Sequence, residues 1–223
     1  MKPSVTIIDY GAGNILSITK AFEHCGAKVN IADFSQMIKK AGRLILPGVG
    51  AFEDGMLGLK KRGFIEPIKS FVDKGKPVMG ICLGMQMLLE ISEEFGIHKG
   101  LGFIPGKVVS LPKRDKNGNS VKIPLIGWYK LSNSNYEEAW ESTILESVSV
   151  ESYYYFAHSY YCLPEVQEII ISTTKYETIE FCSAFQYGNV IACQFHPERS
   201  GREGLLVYEE LCSQISKDKV ERG

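Results

Sequence analysis

Cys82 is the residue with the best-defined chemical setting in the chain. It stands in Gly80-Ile81-Cys82-Leu83-Gly84, at the end of the apolar run Val78–Ile81. A helical pattern follows at once, with Leu83, Met87, Leu88 and Ile91 on one face and Glu90, Glu93 and Glu94 opposite. Strand, nucleophile-type residue, helix is the order of a Gly-x-nucleophile-x-Gly elbow. Glycines are expected there because so sharp a turn leaves no room for side chains beside the nucleophile. A sulfur at a helix N-terminus meets the positive end of the dipole and unpaired N–H groups, which favour thiolate over thiol. The backbone N–H of Leu83, next after the nucleophile, is placed to donate to an oxyanion. A small buried cysteine between two turn glycines is written with the same five letters, so the elbow alone decides nothing.

A thiol nucleophile needs a base, ordinarily a histidine. The chain has four: His24, His98, His158 and His196. His24 falls inside the first helical pattern, and His98 in a loop after Phe95-Gly96. His196 follows the apolar run Val190–Phe195, so it projects from a strand end, as Cys82 does. Glu198, two residues on, can accept from the far ring nitrogen, fixing the tautomer and stabilising the imidazolium. His-Pro-Glu by itself also describes a strand-end histidine beside a solvated glutamate; the Cys82 elbow in the same chain favours a Cys82-His196-Glu198 triad. A second oxyanion donor could come from Pro47-Gly48-Val49-Gly50, where glycines permit close backbone approach, although a simple turn has the same composition.

These residues need a scaffold that brings strand ends together. Val5–Ile8, Val29–Ile31, Arg43–Leu46 and Val78–Ile81 read as buried strands. Between them lie helical patterns: one with Ile15, Ile18, Phe22 and Cys25 on a face, Asn14 as N-cap and Gly26 as stop, then Gly55–Arg62 and Ile65–Lys74. The last is expected to turn Ile65, Ile68, Phe71 and Val72 inward. The alternation predicts an α/β fold, a doubly wound and mostly parallel sheet flanked by helices, with the active site beyond the carboxyl ends of its strands. The loops Asp9–Asn14 and Pro47–Gly50 and the Cys82 elbow all fall at that edge. After about Gly100 the pattern changes to short strands: Lys107–Leu111, Val121–Leu125, Tyr129–Leu131, Tyr153–Phe156, Glu168–Thr173, Phe181–Gln186 and Val190–Gln194. Asn117-Gly118 and Gly188-Asn189 are hairpin signals among them. This half is expected to add antiparallel strands to the same core, so that residues 1–223 form a single domain. A closing helix from Arg202 to about Lys217 carries Val207, Leu211 and Ile215 on one stripe, and the charged tail Lys217–Gly223 is expected to fray.

Composition sets limits on function. The chain has 223 residues, 44% hydrophobic and 23% charged, the balance of a globular domain. A formal net charge of −1 gives no electrostatic reason to expect nucleic acid or an acidic membrane as partner. No apolar run reaches the ~20 residues needed to span a bilayer. The N-terminus leads straight into a strand without a signal-peptide core, and the expected location is the cytoplasm. The six cysteines are scattered, with no C-x-x-C pair, so neither zinc nor a disulfide framework is expected, and no cofactor. Gly11-Ala12-Gly13-Asn14 lacks the third glycine of a dinucleotide fingerprint and the lysine of a P-loop.

Gly80-Ile81-Cys82-Leu83-Gly84-Met85-Gln86 together with Gln194-Phe195-His196-Pro197-Glu198 resembles the triad-class (class I) glutamine amidotransferases. Within that class the chain is similar to the HisH-type glutaminase subunits of imidazole glycerol phosphate synthase. That similarity runs through Asp9–Asn14, Pro47–Phe52, Gly100–Phe103, Tyr154–Tyr160 and Pro197–Gly201, in order along nearly the whole chain. The resemblance implies that Cys82 attacks the glutamine amide, His196 shuttles the proton and Glu198 orients His196. It implies that Gln86, Ser159 and Tyr160 hold the substrate, and that the oxyanion peptide at Val49, with Gly48 and Gly50, takes its active orientation only when a partner has bound its own ligand. The implied partner is a HisF-type (β/α)8-barrel cyclase subunit that receives ammonia through an internal channel and forms imidazole glycerol phosphate and AICAR. Asn14, Trp128, Tyr155 and Arg199 would face it. Tyr153-Tyr154-Tyr155 and Trp128 are of the residue types enriched at interfaces, and equally of the types found in cores.

The chain departs from that pattern at three places, all expected on the partner-facing side. It has Gly127-Trp128-Tyr129 where the family has Gly-Trp-Asn, Arg199 where the family has lysine, and no histidine after the proline of Ile123-Pro124-Leu125-Ile126. Arginine's rigid fork is not a neutral replacement for lysine. The departures motivate an alternative, a paralogue feeding ammonia to an enzyme that modifies a surface sugar. Two further alternatives are a stand-alone cysteine peptidase or γ-glutamyl hydrolase on the same sheet, and a pseudo-enzyme kept for its interface.

Overall fold

The computed structural model describes residues 2–133 and 140–220, with the side chains of residues 215–220 left out. Its first half alternates as the sequence suggests. Strands β1 (Ser4–Ile8), β2 (Lys28–Ala32), β3 (Leu44–Leu46) and β4 (Val78–Ile81) are separated by helices α1 (Ile15–His24), α2 (Ser35–Lys40), α3 (Phe52–Lys61) and α4 (Ile65–Asp73). Helix α5 (Leu83–Met87) follows β4 directly, and then come β5 (Leu89–Ser92), β6 (His98–Lys99), β7 (Ile104–Ser110), β8 (Leu125–Lys130) and β9 (Ser132–Asn133). The chain continues through β10 (Tyr153–His158), β11 (Tyr160–Pro164), β12 (Ile170–Tyr176), β13 (Ile179–Tyr187) and β14 (Val190–Cys193) into α6 (Gly201–Val220).

Among the described residues an eight-stranded sheet runs in the order β2-β1-β3-β4-β14-β13-β12-β9. The first five strands are mutually parallel, and β13, β12 and β9 continue the sheet antiparallel. The four inner parallel strands are buried on both faces, which is why Val5–Ile8, Leu44–Leu46, Val78–Ile81 and Val190–Cys193 read as almost wholly apolar runs. One face packs on α1 and α6, where Phe22 and Tyr208 meet at 4.3 Å between ring centroids. The other packs on α2 to α5 through Ile38, Phe52, Leu59, Phe64 and Ile68. Burying an aromatic or branched side chain of this size contributes roughly 1.5–3 kcal/mol each, so these two layers hold the sheet rigid beneath its upper edge. A second sheet, β11-β7-β5-β6, and a two-stranded ribbon, β10-β8, sit over that edge.

Several expectations need correction. The helix after Cys82 is five residues long, and Glu90 and Ile91 lie in β5. Its extension is cut off because the carbonyls of Met87, Leu88, Leu89 and Glu90 are taken by the N–H groups of Gly100 to Ile104. Those carbonyls are therefore unavailable to a further helical turn. Val121–Leu125 and Tyr129–Leu131 are not two strands but approach and body of one, β8, which begins after Pro124, a residue with no N–H for a ladder. Glu168 lies in a short 3-10 turn, Gln167–Ile169, ahead of β12. His98 lies in β6, not in a loop. Helix α2 and strands β5, β6, β9 and β11 have no counterpart in the sequence reading. Asn14 precedes α1 but makes no side-chain capping bond; its φ of −89° and ψ of 61° lie away from the extended geometry that aims a cap at the helix N–H groups. Ile68 and Phe71 of α4 are buried and Ile65 and Val72 partly so, while Gly26 ends α1 at φ +79°. Gly188-Asn189 is a two-residue hairpin joining β13 to β14, whereas Asn117-Gly118 closes only a bridge between Arg114 and Ser120. Val207 and Leu211 of α6 are buried; the side chain of Ile215 and the end of the Lys217–Gly223 tail lie outside the described residues.

Candidate active site

Sheet register brings the two halves of the expected triad together. Ile81 of β4 pairs with Cys193 of β14, and the Cys82 N–H donates to the Cys193 carbonyl at 2.8 Å. Cys82 thus leaves β4 one residue beyond the pairing, and His196 leaves β14 three beyond it, at the carboxyl ends of neighbouring parallel strands. Cys82 itself carries the strain of the elbow, at φ 54° and ψ −109°. A non-glycine residue held there costs on the order of 1–3 kcal/mol. Gly80 and Gly84 are required for space, not for φ. A methyl on Gly80 would meet Gly84 at 2.8 Å, and one on Gly84 would run into the Leu46 carbonyl oxygen. The elbow is packed directly onto β3.

His196 Nδ1 lies 2.9 Å from Glu198 Oε1, with side-chain exposures of 5% and 1%. Tyr208 of α6 donates its hydroxyl to the other carboxylate oxygen at 3.4 Å. The Cys82 side chain is the other group that acts on the imidazole. Burial opposes charge on His196, but the negative charge of Cys82, the bond to it and the Glu198 carboxylate outweigh burial and hold the pKa up at about 10. Its neighbours therefore favour the protonated imidazole. Burial pushes the Cys162, Cys182 and Cys193 thiols up, which keeps them in the unreactive protonated form.

A pocket of about 310 Å³ opens over the sulfur. Its lining includes Cys82 and Leu83, the loop residues Val49 and Gly50, Gln86, and the Ser159-Tyr160 segment, together with His196 and Glu198. Nearly all the residues picked out for catalysis, oxyanion binding and substrate binding thus share one cavity, and Asn14 and Arg199 lie at it too. Gln86 is 5% exposed and its amide nitrogen donates to the Tyr160 carbonyl at 2.8 Å and to Gln194 Oε1 at 3.1 Å. Gln194 in turn donates to the Cys82 sulfur at 3.6 Å. Gln86 thereby holds the two walls in place through its nitrogen.

The sequence reading missed three residues here. Glu94 lines the pocket, although the helical pattern placed it on an outer face; the break after Leu88 redirects it. Gln194 was visible only as one letter of a motif. His158 lines the pocket, with Nδ1 2.9 Å from the Tyr160 carbonyl and its buried Nε2 without a partner. Burial pushes its pKa down to about 4, so it is neutral.

Beside the pocket, β8 and β10 settle which aromatics face outward. Trp128 pairs with Tyr155, their rings 5.9 Å apart, and Arg199 stacks over Tyr155 at 4.3 Å. Trp128 is 50% exposed, while Tyr154, one residue along β10, is wholly buried. Alternation corrects the expectation for Tyr129: it points away from Trp128, towards Phe156 and Tyr176, and packs partly buried against the core. The main chain of Tyr155 also meets His196: its carbonyl accepts from the His196 N–H at 2.9 Å. Among the described residues no helix is long and apolar enough to cross a membrane, and no group of His, Cys, Asp and Glu could hold a metal ion.

With this geometry in hand, comparisons with known proteins gave consistent matches. The family described as glutamine amidotransferase class-I matches residues 6–210. A protein of Legionella pneumophila (strain Lens) named imidazole glycerol phosphate synthase subunit HisH 1 is 47% identical over 208 residues, 93% of this chain and 98% of its own. The protein of Chlorobaculum tepidum named imidazole glycerol phosphate synthase subunit HisH is 41% identical over 207 residues, again 93% and 98%. Among solved structures, PurLQS from Thermotoga maritima superposes with a TM-score of 0.72 at 18% identity, covering 96% of this chain and all of that one. The glutaminase domain of Trypanosoma brucei CTPS with bound acivicin gives 0.64 at 16% identity, covering 96% and 94%. At such identities these two speak for the fold.

Proposed function

The chain belongs to the class-I glutamine amidotransferase family, and from that premise we propose that it is the glutaminase subunit of an imidazole glycerol phosphate synthase, acting in histidine biosynthesis as one catalytic unit. The observation that carries the reading is the buried Cys82-His196-Glu198 chain at the floor of a small pocket, in a chain 47% identical to a HisH subunit.

The chemistry runs as follows. The Cys82 sulfur attacks the side-chain amide carbon of glutamine, and a C–S bond forms as the carbonyl electrons move onto oxygen. The Leu83 N–H and an N–H of the Val49–Gly50 segment receive that oxyanion. His196, already protonated, gives its proton to the departing nitrogen; the C–N bond breaks and ammonia leaves. Water then attacks the thioester, His196 takes its proton, and glutamate and the thiolate are released. Glu198 orients the imidazole throughout. Glu94 supplies negative charge for the substrate's α-ammonium group, while Gln86, Ser159 and Tyr160 shape the rest of the pocket.

Ammonia would pass to a (β/α)8-barrel cyclase of the HisF type, docked over Asn14, Trp128, Tyr155 and Arg199. The exposed Trp128, the Tyr155–Arg199 stack and the pocket mouth lie together on one side, which supports that face as the docking surface. Mixing the full chain with the histidine-pathway cyclase from the same genome and measuring glutamate and ammonia from glutamine tests the reading. A stable complex with stimulated glutaminase is expected; no complex and no stimulation would remove this assignment in favour of another acceptor.

A further inference from the structure

The segment read above as the second oxyanion donor is tied at both ends and free in the middle. At its start the Tyr10 hydroxyl donates to the Pro47 carbonyl at 2.7 Å. At its end the Phe52 N–H donates to Glu94 Oε2 at 2.6 Å. Between them Val49 is 47% exposed, and Gly50 sits at φ +97° with nothing near enough to crowd an added methyl.

Tyr10 is itself immobilised between two glycines. A methyl on Gly48 would meet the Tyr10 hydroxyl at 2.7 Å, and a methyl on Gly58 of α3 would meet its ring at 2.9 Å. Only glycine at both places lets the ring lie between loop and helix. The side chain is buried, and burial, then the charge of Cys82, push the phenol well above its ordinary pKa, so the hydroxyl stays a donor at every working pH. Gly48 also abuts Leu83 and Gly84, so the Tyr10 bond fixes the loop's start against the nucleophile elbow.

We propose that Tyr10 is a positioning residue for the oxyanion peptide: by holding the Pro47 carbonyl it stops the loop from drifting as a whole and confines its turning to the peptides at Val49 and Gly50. A peptide plane reorients by paired changes in the dihedrals on either side. If Pro47 were loose, part of that rotation would be lost in displacement of the loop, and the N–H would not reach a fixed point above the sulfur. Catalysis by a preorganised donor depends on such a fixed point. The inference rests on the oxyanion reading of the loop.

The test is Tyr10→Phe in the full chain, with 3-fluorotyrosine at position 10 as a second variant that keeps ring and donor. Two readouts are taken: amide hydrogen exchange over residues 48–52 in the free chain, and glutamine kinetics in the complex with the barrel cyclase. Tyr10→Phe is expected to speed exchange at Val49 and Gly50 by about five-fold or more while other core amides stay protected. In the complex, kcat is expected to fall about ten-fold with KM changed by less than about two-fold, a smaller loss than the ~10²–10³ for an oxyanion donor removed outright. The fluorinated variant should restore both. Unchanged exchange at 48–52, acceleration spread over the whole chain, or unchanged kcat in an active complex would each overturn the proposal. If the wild-type complex releases no glutamate, the glutaminase reading fails on its own, and the exchange result alone decides the clamp.

Discussion

His196 Nδ1 and Glu198 Oε1 stand 2.9 Å apart with both side chains withdrawn from solvent, and the second oxygen of Glu198 is met by Tyr208 from α6. A carboxylate so enclosed cannot be satisfied by water. It is held in place by the imidazole on one side and a core tyrosine on the other, and it fixes which imidazole nitrogen faces Cys82. Replacing Glu198 by Gln keeps the size and removes the charge. Glutaminase kcat in the complex is expected to fall by about 10²- to 10⁴-fold with little change in KM, measured by glutamate release. A loss below about ten-fold would show that Glu198 does not orient the base.

His158 predicts a feature of acid stability. Its folded pKa, about 4, lies below the ordinary 6.5 because the ring is buried. Between those values the unfolded chain binds a proton that the folded chain does not, so stability falls as pH drops from 6.5 towards 4. The slope attributable to this one group is up to about 1.4 kcal/mol per pH unit. In urea titrations across pH 4–6.5, His158→Asn is expected to flatten the acid limb; an identical limb in the variant would contradict the assignment.

Gly84 lies against the Leu46 carbonyl with no space for a methyl, whereas Gly42 has open space around it. Gly84→Ala must push the elbow off β3, and at least about 2 kcal/mol of stability should be lost. Gly42→Ala should change stability by less than about 1 kcal/mol. Chemical denaturation of the pair checks this, and similar midpoints would refute the packing account of the elbow.

Trp128 stands half exposed beside Tyr155, whose backbone touches His196. Trp128→Ala is expected to weaken binding of the barrel cyclase by about 10- to 100-fold while leaving the free chain's melting temperature nearly unchanged. Titration calorimetry on wild type and variant would show it; equal affinities would move the docking surface elsewhere.

The grouping of Cys82, His196 and Glu198 was legible because strand-end residues and turn glycines leave local marks: Gly80 and Gly84 around Cys82, Pro197 and Glu198 after His196. The parallel core was legible because its inner strands are buried on both faces. Glu94 was not, since whether a helix continues past Leu88 depends on carbonyls captured by Gly100 to Ile104, residues far enough along the chain to leave no local trace. Tyr129 was misplaced for a related reason. Its inward direction depends on the register of β8 against β10, which the letters Gly-Trp-Tyr do not carry. Gln194 and Tyr10 act through hydrogen bonds to residues 112 and 37 positions away, and no periodicity announces such pairs.

The central claim is that Cys82 is acylated by glutamine, and intact-protein mass spectrometry on the quenched complex during turnover tests it most directly. A γ-glutamyl adduct confined to the Cys82 peptide, absent in Cys82→Ala together with all glutamate release, is the predicted result. Glutamate release that continues in Cys82→Ala, or an adduct on another residue, would contradict it.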